Sequence, residues 1–303
     1  MLTMARRSCN AHPALVHYGC GRRTISPIPF GSTFIGDATG DAVEADGAYI
    51  LIELRGGFRF WINPRDRFVS QGMLGGVWEL DETAFARRFL KPGMHALDIG
   101  ANLGWYAVHF ARWVGEHGLV TAFEPRADLH RQLCRTLAAN DLSNVIAHPV
   151  ALGAAETTLL LRWPRADENP GGAQLCIART GVKDPDYVYQ ETPVRPLDAI
   201  VDRRVDFIKI DIEGAEKLVF DGARRILSVD RPVILAELAP AMLRDVSGVT
   251  IDDYFAYLRG KAYRVFELAQ QGELYRELTD WPFGPGRDLV NVVLLPAELP
   301  LPD

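Results

Sequence analysis

From Pro92-Gly93 as far as Val150, short apolar runs alternate with helical stretches, and this alternation constrains the fold more than any other feature of the chain. His95-Ala-Leu-Asp98 leads into a Gly-containing turn, a helical stretch from Leu103 to Val114, a strand from Leu119 to Phe123, a longer helix from Asp128 to Asn140 and a strand from Val145 to Val150. The order strand, helix, strand recurs in Val205 to Ile210, Ala215 to Leu227 and Pro232 to Glu237. Parallel strands need long crossovers, and helices are the usual ones. The pattern therefore predicts an α/β fold, a doubly wound, mostly parallel sheet with helices on both faces.

Ahead of this region the chain reads differently. Residues 1–45 are rich in Gly, Pro and small residues without periodicity, a loose arm. Ala48-Tyr-Ile-Leu-Ile-Glu-Leu54 and Phe58-Arg-Phe-Trp-Ile62 flank Arg55-Gly56-Gly57 as the strands of a β-hairpin do. Asp81 to Leu90 puts Phe85 and Phe89 on one face of a short helix that Pro92-Gly93 stops. The expected organisation is an N-terminal arm and β-rich extension over 1–80, then the α/β domain over 81–303. Arg165 to Pro193 breaks the alternation with Asn169-Pro-Gly-Gly172, Gly181 and further prolines, and is expected to be an irregular lid or substrate loop.

Composition narrows the partners. With 33 Lys and Arg against 39 Asp and Glu the formal charge is −6, so no general positive field draws the chain to nucleic acid or an anionic membrane. No run reaches the ~18 apolar residues of a membrane span. Cys9, Cys20, Cys134 and Cys176 lack CxxC spacing and follow no apolar leader, which predicts reduced thiols in a cytoplasm and a frayed N-terminus rather than a targeting peptide. A small molecule is the expected partner. The apolar stretch Phe58 to Ile62 is expected either to pair across a homodimer or to cover the sheet.

Three motifs carry chemistry. Asp98-Ile-Gly100-Ala-Asn102-Leu-Gly104 lies between an apolar strand and a helix, where a Gly-rich turn lets the backbone approach a ligand closely. A dinucleotide fingerprint would need glycines where Asn102 and Trp105 stand, so a pyrophosphate cradle is disfavoured. Phe123-Glu124-Pro125 ends the next strand with a carboxylate suited to ribose hydroxyls. A nucleoside without pyrophosphate fits both, and S-adenosylmethionine (SAM) is one. The third motif, Lys209-Ile-Asp211-Ile-Glu213-Gly214-Ala-Glu216, crowds acids at a strand end facing the expected crevice, although acids also favour a helix's first turn.

Pro92-Gly93, Leu97-Asp98-Ile-Gly-Ala-Asn-Leu-Gly104, Ala122-Phe123-Glu124-Pro125, Ala151-Leu152-Gly153 and Ile208-Lys209-Ile-Asp211-Ile-Glu213-Gly214-Ala-Glu216 with Gly222-Ala223 resemble the FkbM family of SAM-dependent methyltransferases over about residues 92–238. The last motif is the most specific part. The resemblance implies a seven-stranded Rossmann-like sheet and methyl transfer to a hydroxyl oxygen, commonly of sugars or natural products. It also implies that Asp98, Gly100, Asn102 and Gly104 hold the methionine end, that Glu124 holds the ribose, and that the Asp211 strand end faces methyl and acceptor.

The base is open at this level. A general base should titrate near the working pH and lie within hydrogen-bond reach. His109 falls mid-helix and His148 in a strand, and no histidine follows His148. Asp211, Glu213 or Glu237 remain, or no strong base at all, since alignment against an activated donor supplies much of the catalysis. These three acids are also of the type that binds Mg²⁺ or Ca²⁺, but no ligand spacing marks a metal site and none is expected. Lys209, inside a strand buried on both faces, requires a partner, either Asp211 or the substrate loop. The expectation is a SAM-dependent O-methyltransferase with Asp211 and Glu213 as catalytic candidates. The alternatives are an N-methyltransferase, a non-catalytic SAM-binding protein and an NAD(P)-dependent oxidoreductase.

Overall fold

The computed structural model describes residues 41–76, 78–165, 172–177, 183–283 and 288–301. The elements in chain order are β1 (Asp41–Asp46), β2 (Tyr49–Leu54), β3 (Phe58–Ile62), α1 (Val69–Leu74), α2 (Leu80–Phe89), β4 (His95–Ile99), α3 (Trp105–Val114), β5 (Leu119–Phe123), α4 (Ala127–Ala139) and β6 (Val145–His148). There follow β7 (Ala151–Leu152), β8 (Thr157–Pro164), β9 (Gln174–Cys176), β10 (Tyr187–Arg195), β11 (Phe207–Ile210) and α5 (Glu216–Asp221). The chain ends with β12 (Val233–Leu238), α6 (Pro240–Ser247), α7 (Ile251–Gly260), β13 (Tyr263–Leu268), β14 (Leu274–Leu278) and β15 (Val290–Pro296).

The main sheet has the order β14-β13-β15-β12-β11-β4-β5-β6. Strands β6, β5, β4, β11 and β12 run parallel, and β15 and β14 enter antiparallel. It has eight strands rather than the expected seven, because β14 hairpins back onto β13 at the edge. The strand order reverses direction of growth between β4 and β11, the place where open α/β sheets bind ligands at their carboxyl ends.

Alternation along each strand separates two cores. Ala96 and Phe207 join Phe85, Phe110, Val108 and Leu133 on the α2, α3 and α4 side. Leu97, Ile99, Ile208 and Ile210 join Phe220, Leu243 and Tyr254 on the opposite side, under α5, α6 and α7. By the same alternation Asp98 and Lys209, which are register partners on β4 and β11, share the α3 side.

The N-terminal extension is a three-stranded antiparallel sheet, one strand more than the expected hairpin. Phe58 to Ile62 is spent within the chain: Phe60 stacks on Trp105 and Phe58 on His109. Among the described residues the outer edge of β3 does not meet another strand. Asn140 accepts from the Arg59 amide at 2.9 Å and donates to the Arg59 carbonyl at 2.6 Å, and Thr136 Oγ1 accepts from the Trp61 amide at 3.1 Å. Side chains of α4 and of its capping residue Asn140 thus satisfy an edge that would otherwise be open to pairing. Asn140→Ala leaves those Arg59 groups unpaired and is expected to cost about 1–3 kcal/mol in urea unfolding; an unchanged midpoint would show that water satisfies them.

Two expectations change. Within Arg165 to Pro193, β9 and β10 join β7 and β8 in a four-stranded sheet of order β7-β10-β8-β9, so part of the expected irregular loop is regular strand. Tyr187 to Val194 pairs with Thr157 to Pro164 along its whole length, which outweighs Pro193. Gly181 and Asn169-Pro-Gly171 lie outside the described residues, as do Cys9, Cys20 and the arm to residue 40. The helix expected from Ala215 to Leu227 is broken: α5 stops at Asp221 with Gly222 as its cap, packed so close to the Gly153 carbonyl that no side chain fits there, and a single π-helical turn follows at Ile226–Asp230.

Candidate active site

The carboxyl ends of β4, β5, β11 and β12 open into a cavity of about 350 Å³, within the usual size range of small-molecule pockets. Asp98, Gly100, Asn102, Glu124, Asp211 and Glu213 all line it. Gly104, expected at the methionine end, is not among the lining residues. An added Cβ there would meet Leu133 Cδ1 at 2.7 Å, so this glycine lets α3 start against α4.

The turn after β4 is shaped by close approach. Gly100 has φ +87°, and a Cβ on it would collide with the Asp211 carbonyl oxygen. The Gly100 and Ala101 amides both donate to the Phe123 carbonyl at 3.0 Å, tying the turn to the end of β5. Glu124 locks the same corner: its two carboxylate oxygens accept from the Asn102 and Arg126 amides, each at 2.8 Å. It is buried, and burial pushes its carboxyl up to about 7 against the pull of those donors. An ionised carboxylate offers about four acceptor positions, so capacity for a ligand's hydroxyls remains.

Asp98 is 1% exposed, and its Oδ2 has no partner among the described residues. Burial pushes its carboxyl up to about 7, against Lys209 and the Ala107 amide at the start of α3. Asn102 Oδ1 is likewise buried without a partner among the described residues. Both atoms are acceptors lacking a donor, and buried polar groups are normally satisfied.

Lys209 resolves the question raised by its strand position. It is 3% exposed, and Nζ lies 3.4 Å from Asp211 Oδ2 and 3.6 Å from Glu79 Oε2, over the Tyr106 ring. Burial alone would lower its pKa, but Asp211, Glu79, Glu237 and Glu82 together hold it above the ordinary value. Glu79 was not singled out in the sequence, yet its Oε2 also accepts the Tyr106 hydroxyl at 2.6 Å. Its left-handed backbone, φ +46°, turns the chain into α2. The approach is set further back by buried Asp66, which accepts from the Phe68 and Ser70 amides and starts α1, placing Phe68, Val69 and Met73 on the cavity wall.

Glu213 (φ +55°) and Glu237 complete the acidic side. Burial first, then Asp211, pushes Glu213 up to about 7, and its Oε2 has no partner among the described residues. Burial and Asp211 raise Glu237 as well. Glu216 does not line the cavity: it accepts from the Gly214 amide at 3.3 Å, a helix-start role. Among the described residues no three His, Cys, Asp or Glu side chains are arranged to hold a metal ion. Of the histidines, His109 is packed between Phe58 and Trp105, and burial pushes it down to about 4, while His148 stacks on Phe123. No helix among the described residues is long and apolar enough to cross a membrane.

Comparison with solved structures finds a methyltransferase FkbM from Methylobacillus flagellatus at 18% identity and TM-score 0.42, covering 75% of this chain and 52% of that one. The present chain thus spans about half of that protein. A SAM-dependent O-methyltransferase from Thermotoga maritima is 12% identical at TM-score 0.40, covering 82% and 78% of the two chains. M. jannaschii TYW2, solved in complex with AdoMet, is 13% identical at TM-score 0.40, covering 83% and 86%. No curated protein matches. The sequence profile of the methyltransferase FkbM domain matches residues 98–265, from the buried aspartate of β4 into β13. That match spans more than half of the 303 residues, and the chain belongs to the FkbM methyltransferase family.

Proposed function

We propose that the protein is a SAM-dependent O-methyltransferase acting on a hydroxyl of a small molecule, a sugar or glycosylated natural product. The observation that carries the cofactor assignment is the buried, half-unpartnered carboxylate of Asp98 beside a glycine turn that Glu124 ties down, all in one cavity. The acceptor atoms left without donors there, Asp98 Oδ2 and Asn102 Oδ1, suit the ammonium of an amino-acid end. Glu124 suits the two hydroxyls of a ribose. SAM, when bound, supplies a methyl carbon made electrophilic by its sulfonium.

The remaining groups divide the work. Asp211 is engaged by Lys209, so it orients that ammonium and the strand end. Glu213, unpartnered at Oε2 and with its carboxyl near neutrality, is the better proton acceptor for a hydroxyl aligned in the cavity. Phe68, Val69, Met73 and Trp78 on one wall and Leu161 and Leu175 on the other give the cavity apolar sides that exclude water from the reacting oxygen.

Isothermal titration with SAM, S-adenosylhomocysteine and NAD tests the assignment. Saturable binding of both sulfur nucleosides, weakened roughly 10- to 100-fold in Glu124→Ala by loss of charge-assisted hydrogen bonds, is expected. Binding of NAD in their place, or of neither sulfur nucleoside by folded protein, would overturn it.

A further inference from the structure

The cavity is walled by one sign of charge. Asp98 closes it from β4, Glu124 from the end of β5, Asp211 and Glu213 from the end of β11 and the following turn, Glu237 from β12, and Glu79 from the segment before α2. Lys209 is the one basic side chain among the described lining residues, and it is already shared between Glu79 and Asp211. Behind the wall stand Glu82 on α2, Glu216 on α5, and Arg126, which points its guanidinium at Asp128. An independent observation marks the cavity as awaiting positive or donor groups: Asp98 is almost wholly buried with one oxygen unbonded. Several acids crowded in a small, poorly solvated space cannot all ionise unless a cation joins them.

Resting on the cofactor assignment above, we propose that this cavity selects its ligand by charge, favouring the sulfonium form of the cofactor over the uncharged thioether that methyl transfer leaves. In the transfer the carbon–sulfur bond breaks as the carbon–oxygen bond forms. The sulfur keeps the electron pair and loses its charge, and the hydroxyl proton passes to a carboxylate of the cavity. The positive charge lost at sulfur is thereby replaced by a proton on an acid. The thioether is left in a site that no longer attracts it, and the acid must return its proton to solvent before the next sulfonium binds.

The sign of the pH dependence follows. Burial holds Asp98, Glu124 and Glu213 near 7 and Glu237 at about 8, so these acids are largely protonated at pH 6 and mostly ionised at about pH 8.5. A cation that requires them ionised releases protons on binding and gains affinity as pH rises. The thioether carries no such charge, and the amino and carboxyl groups common to both molecules cancel in their ratio.

Titration calorimetry at about pH 6 and about pH 8.5, in buffers of different ionisation enthalpy, reads both affinity and proton release. The SAM to S-adenosylhomocysteine affinity ratio is expected to rise about tenfold or more between the two, with more protons released on binding SAM than on binding the thioether. An analogue bearing a protonated amine in place of the sulfonium should follow SAM, which separates charge from the shape of the methyl group. Glu213→Gln and Glu237→Gln, checked for folding by circular dichroism, should each flatten the rise. If neither variant folds, the wild-type comparison with the amine analogue decides. A ratio that stays constant, or shifts toward the thioether with pH, overturns charge selection while leaving the cofactor assignment intact. Binding of neither sulfur nucleoside at either pH overturns the assignment and this inference with it.

Discussion

Lys209→Met is expected to lower folding stability by about 3–5 kcal/mol at pH 8, the usual range when one partner of a buried ion pair is removed. The ammonium is 3% exposed and sits between Glu79 and Asp211, while Asp98, Glu82 and Glu237 feel its charge from further off. Methionine fills much of the same volume, so the loss is one of charge rather than packing. Asp98, Glu82 and Glu237 already lie above their ordinary values, chiefly because they are buried, and without Lys209 they rise further. An acid raised in the folded state favours folding while it stays protonated, an advantage lost as pH climbs through the folded value. The deficit of the variant should therefore shrink toward pH 5 and be largest above pH 8. Urea unfolding at both pH values checks this, and equal deficits would mean that the lysine contributes packing alone.

Gly100→Ala should abolish the thermal stabilisation that SAM confers. A Cβ at this position collides with the Asp211 carbonyl, and φ +87° is strained for any L side chain. The turn after β4 and the end of β11 must part, which disturbs the register that pairs Asp98 with Lys209 and Ile99 with Ile210 across the sheet. We expect a loss of about 1–3 kcal/mol in stability from the backbone alone, and SAM affinity down by roughly 100-fold or more from the lost alignment. The check is the melting temperature with and without saturating SAM. A variant that melts lower yet gains as much from SAM as the wild type would show that the turn is structural only.

Much of the fold was legible because it is encoded locally. The spacing of Phe85 and Phe89 marked α2, the apolar run Leu119 to Phe123 is β5 residue for residue, and Arg55-Gly56-Gly57 marked the turn between β2 and β3. Where elements were misread, contacts distant in sequence decided. Gly222 caps α5 where the Gly153 carbonyl passes too close for any side chain, and β10 tolerates Pro193 because β8 pairs along its full length. Glu79 had no signal at all: it lies in no motif, and reaches Lys209 only because Phe68, Val69, Met73, Trp78 and Glu79 itself are folded onto the strand ends.

The sequence by itself determined the strand and helix alternation, the glycine turn and the presence of acids at three strand ends, because these depend on periodicity and on which residues tolerate positive φ. Only the tertiary structure decided which of those acids face one another. The parallel register of β4 beside β11 sets Asp98 next to Lys209, and the path of the extension delivers Glu79 to the same ammonium. Electrostatic coupling depends on distance and burial, not on separation along the chain. Asp211 is therefore tied to Lys209 while Glu213, two residues on, is left with an unpaired oxygen facing the cavity.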